Sequence, residues 1–263
     1  MNIISLTTDF GLSDWFAGTI KGVILDINPR ATVVDITHEI PGGDIRAGAF
    51  ALAASYKFFP KKTVHFTVVD PGVGSQRNAI AVQTENYFFV GPDNGVLSYA
   101  LAREKIKTIQ QLANQKFFLP QISSTFHGRD IFAPAAAHLS KGVPIQKLGL
   151  QIADFVRINW PQPQQSTKSI CGEIVYIDRF GDAITNIDDN ALTALDSPCC
   201  EILVKNKKFC LLKSFYQAVP SGKPVAVIGS SRLLEIAVNG GSAAMQFSLK
   251  VGDAVTVRFE SPH

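Results

Sequence analysis

The hydrophobic rhythm of this chain changes once, near residue 150, and that change divides what it can fold into. Before it, short apolar runs alternate with helical stripes. Residues 3–8, 32–36, 64–69, 79–83 and 87–90, rich in Val, Ile, Thr and aromatics, are expected to be strands. Between the first two, Phe16, Ile20, Val23, Ile24 and Ile27 fall on one helical face, and Asn28-Pro29 ends the stripe. Residues 46–58 place Ala47, Phe50, Ala51 and Ala54 on another such face, with Asp44 as N-cap. A third helix is expected to start after Asp130 and stop at Gly142, with Pro134 early enough to be tolerated. This alternation predicts a layered α/β domain with a largely parallel sheet over residues 1–159. Residues 160–169 are polar and proline-bearing and read as a linker. Residues 170–263 carry short strands at close spacing, at 172–177, 183–187, 201–204, 209–212, 225–228 and 254–259, which predicts a smaller all-β barrel or sandwich.

Composition excludes several function classes. A chain of 263 residues, 46% hydrophobic and 18% charged, can bury a core in each half. A formal charge of +3, evenly spread, argues against a nucleic-acid or anionic-membrane surface. Lys205, Lys207 and Lys208 read as a solvated hairpin tip. The start, Met1-Asn2-Ile3-Ile4, reads as a first strand rather than a signal peptide, and no apolar run approaches the ~20 residues that span a bilayer. Cys171, Cys199, Cys200 and Cys210 lack zinc-site spacing and have no histidine nearby in sequence. They are expected to be free, mostly buried thiols in a reducing cytoplasm.

Four segments place polar residues where chemistry is expected, at the carboxyl edge of strands or just before a helix. Thr7-Thr8-Asp9-Phe10-Gly11 closes the first strand, and a carboxylate there can accept hydrogen bonds from the two hydroxyls of a ribose or simply make an Asx turn. Val69-Asp70-Pro71-Gly72-Val73-Gly74-Ser75-Gln76-Arg77 is a tight loop that can bring carboxylate and guanidinium around one small polar species, or form a structural ion pair. A lone histidine is more often structural than catalytic, but in Ser124-Thr125-Phe126-His127-Gly128-Arg129-Asp130 it sits among hydroxyl and charged groups, which is poor core chemistry and plausible site chemistry. His38, His65, His138 and His263 are weaker candidates, being in or after strands, on a helix, or terminal. Asp178-Arg179-Phe180-Gly181-Asp182 can stack a base and receive an ammonium, or be an ordinary hairpin turn. There is no GxSxG elbow, HExxH helix, Walker A loop or GxGxxG after a strand.

In this order and spacing the segments resemble the adenosine-forming S-adenosylmethionine (SAM) hydrolases, also described as SAM hydroxide adenosyltransferases, relatives of the bacterial fluorinase and chlorinase. Gly91-Pro92-Asp93-Asn94-Gly95, Thr185-Asn186 and Glu235-Ile236-Ala237-Val238-Asn239 extend the resemblance over nearly the whole chain. It implies that Asp70, Arg77 and His127 position and polarise the attacking water, while halogenating relatives lack this aspartate and histidine. It further implies that Asp9 binds the ribose, Phe126 walls the adenosine pocket, Phe180 stacks on adenine and Asp178 meets the methionine ammonium. Ser230 and Ser231 match the methionine carboxylate site, and Asn239-Gly240 the backbone groups at the adenine edge. Two departures stand out: Asp182 replaces the asparagine of the halogenases, whose side chain bonds adenine, and Ser230-Ser231-Arg232-Leu233 differs from the commoner Ser-x-Gly-Tyr wording. The resemblance also implies a homotrimer with sites shared between subunits.

The resemblance implies hydrolysis of SAM at ribose C5′ by an oriented water or hydroxide, giving adenosine and methionine, with SAM as substrate and neither cofactor nor metal. Halide use, or a silent SAM-binding sensor, are the alternatives. His127 is the expected proton acceptor, because an adjacent Arg77 lowers the basicity of Asp70; hydroxide captured by Arg77 is the other route.

Overall fold

The computed structural model describes residues 2–193 and 200–259. Cys199 and His263 lie outside them. The chain forms two compact units, Met1–Asn159 and Trp160–His263.

The first unit is built on β1 (Ile3–Thr8), β2 (Thr32–Thr37), β3 (Val64–Val68), β4 (Ala79–Thr84), β5 (Phe88–Pro92), β6 (Ile106–Leu112) and β7 (Gly149–Ile152). The sheet order is β2-β1-β3-β5-β4-β6-β7. The parallel expectation holds for β2, β1, β3 and β5; β4, β6 and β7 join antiparallel, so the sheet is mixed. The reason is chain length. Only Glu85–Tyr87 separate β4 from β5, too few residues for a crossover, and Thr84 Oγ1 closes the turn by accepting from the Asn86 and Tyr87 N–H groups.

Helices cover both faces. Helix α1 (Phe16–Ile27) ends at Asn28 as its sequence predicts, and the Asn28 amide donates to Ser140 Oγ (2.8 Å) at the end of the helix it packs on. Asp44 caps α2 (Ile45–Ser55) by accepting from the Ala47 N–H (2.9 Å). A single turn, α3 (Ser98–Leu101), packs on α2. The helix expected after Asp130 begins as a π-helical turn, Gly128–Phe132, and continues as α4 (Ala133–Ser140). Strand alternation sorts the residues beneath. Ile4, Leu6, Val64, Phe66 and Val68 face the α1/α4 core. Ser5 and His65 turn the other way, where Ser5 Oγ meets His65 Nδ1 (2.7 Å) under Tyr56 and Phe89.

The second unit contains β8 (Gln164–Gln165), β9 (Ser169–Ile177), β10 (Ala183–Asp188), β11 (Cys200–Val204), β12 (Lys207–Leu211), β13 (Pro224–Ile228), β14 (Leu233–Val238) and β15 (Ala254–Phe259). Two short helices, α5 (Asp189–Thr193) and α6 (Ala243–Phe247), interrupt them. Antiparallel pairing in the order β12-β11-β15-β9-β10-β14-β13 makes one sheet, and a Leu212–Ala226 bridge links its two ends into a nearly closed barrel around Ile170, Ile174, Ile202, Leu234 and Val257. The β11–β12 turn uses Lys205 and Asn206, both with positive φ, the geometry of a two-residue hairpin. Within the stretch read as a linker, Gln164 and Gln165 pair with Cys171 and Ile170 of β9. The expectation of mostly buried thiols fails at Cys171, which is exposed, because on β9 it faces away from the barrel core that Ile170 enters; Cys210 is half-buried.

Candidate active site

In the α/β unit the chemistry-bearing residues converge at the carboxyl ends of β1 and β3. Gly74 brings the loop after β3 against the one before α4. Its φ is +79°, and a Cβ there would stand 2.3 Å from the Ser124 carbonyl oxygen, so no side chain fits. Arg77 meets Asp70 within its own loop and His127 across this contact. Its Nε donates to the Asp70 oxygens at 3.0 and 3.1 Å, its Nη2 to Asp70 Oδ2 at 2.5 Å, and Nη2 also to His127 Nδ1 at 2.9 Å. The Asp70 and Arg77 side chains are only 5% and 11% exposed, and the guanidinium lies 5.2 Å from the Phe132 ring centre.

A guanidinium only donates, so His127 Nδ1 accepts and the neutral ring carries its proton on Nε2. Burial first, and the Arg77 charge second, hold His127 below the usual histidine pKa, while Asp70 and Asp130 oppose them. In this arrangement the His127 Nδ1 lone pair is engaged by Arg77, and Nε2–H is a donor.

Asp9, Asp70, Phe126 and His127 line one cleft of about 290 Å³. Arg77 braces it by holding Asp70 and His127. Asp9 is oriented by the Gly43 N–H donating to Oδ2 (2.8 Å), and burial, helped by the nearby Asp70 charge, raises its pKa. Phe10, Phe16 and Val73 also line the cleft and were not assigned from sequence, although Phe10 stood inside a motif. Phe126 packs edge-on against Phe10 and Phe16, and Gly128 fits beneath because a Cβ would lie 3.1 Å from Phe10 and 3.3 Å from Phe126.

The β unit brings together a second set. Asp178 Oδ1 accepts from the Phe180 and Asp182 N–H groups (both 2.9 Å), an Asx turn that leaves Phe180 75% exposed. Gly181, at φ +82°, sits against Ser242, where a Cβ would lie 1.9 Å from Oγ. Asp182 and Glu235 are buried, and the Tyr216 hydroxyl donates to Glu235 Oε2 (2.8 Å). Glu235, quoted only within a motif, is a member of this set that sequence reasoning missed. Burial, then the Asp178 and Glu235 carboxylates, push the Asp182 pKa up to about 6. Ser230 is exposed, and Ser231 Oγ is buried without a hydrogen-bond partner. The Asn239 N–H donates to the Lys223 carbonyl, so Gly240, at φ +71°, is the freer of the two positions assigned to the adenine edge. Among the described residues, no three His, Cys, Asp or Glu side chains are placed to hold a metal ion, and no helix is long and apolar enough to cross a membrane.

Comparison with known proteins adds a family to this geometry. Family models described as SAM hydroxide adenosyltransferase N-terminal domain and C-terminal domain match residues 4–149 and 172–256. The (R)-S-adenosyl-L-methionine hydrolase of Salinispora arenicola is 39% identical over 97% of each chain. A fluorinase of an Actinoplanes species is 27% identical, again over 97% of each. The crystal structure of an uncharacterized conserved protein from Thermotoga maritima superposes with a TM-score of 0.92 at 35% identity, covering 97% of this chain and 99% of that one.

Two outcomes follow from the electrostatics. Arg77→Ala removes a positive charge and leaves Asp70 and Asp130 facing the ring, so the His127 pKa should rise; an imidazole NMR titration reads this, and an unchanged or lower value would contradict the Arg77–His127 bond. Asp182 binds its proton more tightly folded than in its free form at 3.8. Its contribution to stability is therefore lost as pH rises from about 4 through about 6. Asp182→Asn should melt at a higher temperature than wild type above pH 6 and at the same temperature below pH 4. A variant that is less stable at pH 8 would mean the ionised carboxylate has a favourable partner there.

Proposed function

This chain belongs to the SAM hydroxide adenosyltransferase family, and on that premise we propose that it hydrolyses S-adenosyl-L-methionine at ribose C5′ to adenosine and L-methionine. The observation that carries this reading is the Asp70–Arg77–His127 cluster lining and bracing the cleft that Asp9 shares.

The substrate brings its own leaving group, since a displaced sulfonium departs as a neutral thioether. The protein must supply a nucleophile in line with the C5′–S bond and strip part of its water shell. Orientation of this kind is worth about 7–11 kcal/mol in well-aligned systems, so the chemistry is proposed to need neither metal nor cofactor. Because the His127 lone pair is engaged by Arg77, the geometry favours a nucleophile that arrives as hydroxide. The Arg77 charge and the substrate sulfonium attract it, His127 Nε2–H donates to it, and Asp70 accepts its O–H. Asp9 holds the ribose hydroxyls and Phe126 walls the nucleoside. In the β unit, Phe180 stacks on adenine and Asp178 receives the ammonium. Asp182, when protonated, serves as the donor that asparagine would supply. Ser230 and Ser231 take the methionine carboxylate, and Asn239 and Gly240 the adenine edge.

The protein is further proposed to work in the cytoplasm as a homotrimer, in which the β unit of one subunit completes the site with the α/β unit of another. The family resemblance supports this assembly. The exposure of Phe180, Leu12 and Trp15 is consistent with surfaces that another copy covers.

Purified protein incubated with SAM and a chelator should release adenosine and methionine in equal amounts. Activity abolished by chelator and restored by one divalent ion, or a 5′-halo-adenosine product in halide buffer, would contradict the reading. Asp70→Ala and His127→Ala should lower kcat by roughly 10²–10⁴ with little change in SAM affinity. Asp9→Ala should weaken binding by about 2–3 kcal/mol. Assembly has its own test: Asp9→Ala and Asp178→Ala proteins, each nearly inactive, should regain activity when co-assembled. Confirmed co-assembly without recovery would place each site within one chain.

A further inference from the structure

The segment Gly91-Pro92-Asp93-Asn94-Gly95 stands out in the sequence, yet the chemistry above gives it no task. Its position is informative. It begins with the last two residues of β5, a strand that lies between β3 and β4 and ends beside the start of β4, with Pro92 opposite Ala79. The loop carrying Asp70 and Arg77 leaves the sheet after Val68 of β3 and returns at Ala79 of β4, so it must pass over the end of β5. The 91–95 segment lies beneath that crossing.

Two hydrogen bonds join the segment to the two ends of the loop. Asn94 Nδ2 donates to the carbonyl of Val69, the residue before Asp70, at 2.8 Å. The Asp93 N–H donates to the carbonyl of Asn78, the residue after Arg77, at 2.9 Å, and Arg77 Nη1 reaches the same oxygen at 3.4 Å. Asn94 is itself held, since its Oδ1 accepts from the Val96 N–H at 3.1 Å. With Nδ2 facing a carbonyl and Oδ1 facing an N–H, only this amide orientation satisfies both contacts. The segment also lies hard against β3: a Cβ on Gly91 would stand 2.3 Å from the Thr67 carbonyl oxygen.

We propose that Asn94 is a positioning residue for the nucleophile-handling pair, fixing the Val69–Asp70 peptide plane through its amide donor so that Asp70 presents both oxygens to Arg77. The bond acts on the backbone one residue from the carboxylate, where a small rotation is carried directly into the Cα–Cβ direction. The proposal rests on the assignment of Asp70 and Arg77 to the hydrolysis of SAM.

Asn94→Asp keeps the Oδ1 acceptor for Val96 and replaces the donor at Val69 with a carboxylate oxygen. It should lower kcat for SAM hydrolysis by roughly 10–100-fold, the scale of a misplacement of about 1 Å, with KM within about twofold of wild type. In an Asp70→Asn background the same change should cost nothing further, because its effect runs through Asp70. His127 gives a readout that does not depend on turnover: with Arg77 loosened, its pKa should rise on NMR titration. Asn94→Ser carries the same test without added charge if Asn94→Asp does not fold. Wild-type kcat in a folded variant, an equal fractional loss in the Asp70→Asn background, or an unmoved His127 titration would each overturn the proposal. If the wild-type protein releases no adenosine from SAM, the functional reading fails, and the His127 titration still decides whether Asn94 places the pair.

Discussion

The Arg77 guanidinium donates to both Asp70 and His127, and much of the surrounding structure follows from the cost of keeping that charge from water. Arginine has no neutral form at accessible pH, so its burial must be offset by partners rather than by loss of a proton. Asp70 supplies the countercharge in forked geometry, and Phe132 lies close to the guanidinium. Removing one member of such a buried pair typically costs about 3–5 kcal/mol, because the other is left uncompensated. The fold therefore has reason to hold this loop closed on itself whether or not substrate is present. The third contact, to His127, then sets its tautomer.

The two units present opposite electrostatic environments. In the α/β unit a fixed cation depresses the basicity of a histidine, and aromatic rings from Phe10, Phe16 and Phe126 narrow the cleft. In the β unit Asp178, Asp182 and Glu235 crowd together, and burial raises the latter two further. The first environment is cationic at its centre, and the second is anionic. Both depend on glycines at close approaches, Gly74 against the Ser124 carbonyl and Gly181 against the Ser242 side chain.

How much was legible follows from the range of each interaction. The apolar stripe of α1 and the Asp44 cap are local, and both could be read directly. The two strands 79–83 and 87–90 were also visible; their three-residue separation already implied a hairpin, which the strand–helix rhythm obscured. Strand β14 is buried along its whole length, so it lacks the alternation that marks a half-exposed strand, and Glu235 was hidden inside it. Asp70, Arg77 and His127 could be named as candidates because their residue types suit the chemistry. The direction of the Arg77–His127 bond could not, since it depends on a contact between residues fifty positions apart. For the same reason the bonds from the 91–95 segment left no trace in local pattern.

The reversal of β4 has a consequence for how this scaffold can vary. Because β4 runs against β3, the chain departs and returns at one edge of the sheet, and the residues between form a bounded insert with a fixed footprint. A parallel successor would have carried Arg77 to the far end of the sheet, out of reach of Asp70. Its two attachment points are held by bonds to Val69 and Asn78, and its interior is constrained at Gly74 and at the Asp70–Arg77 pair. Changes at the remaining positions between the anchors would leave the strands and their pairing in place.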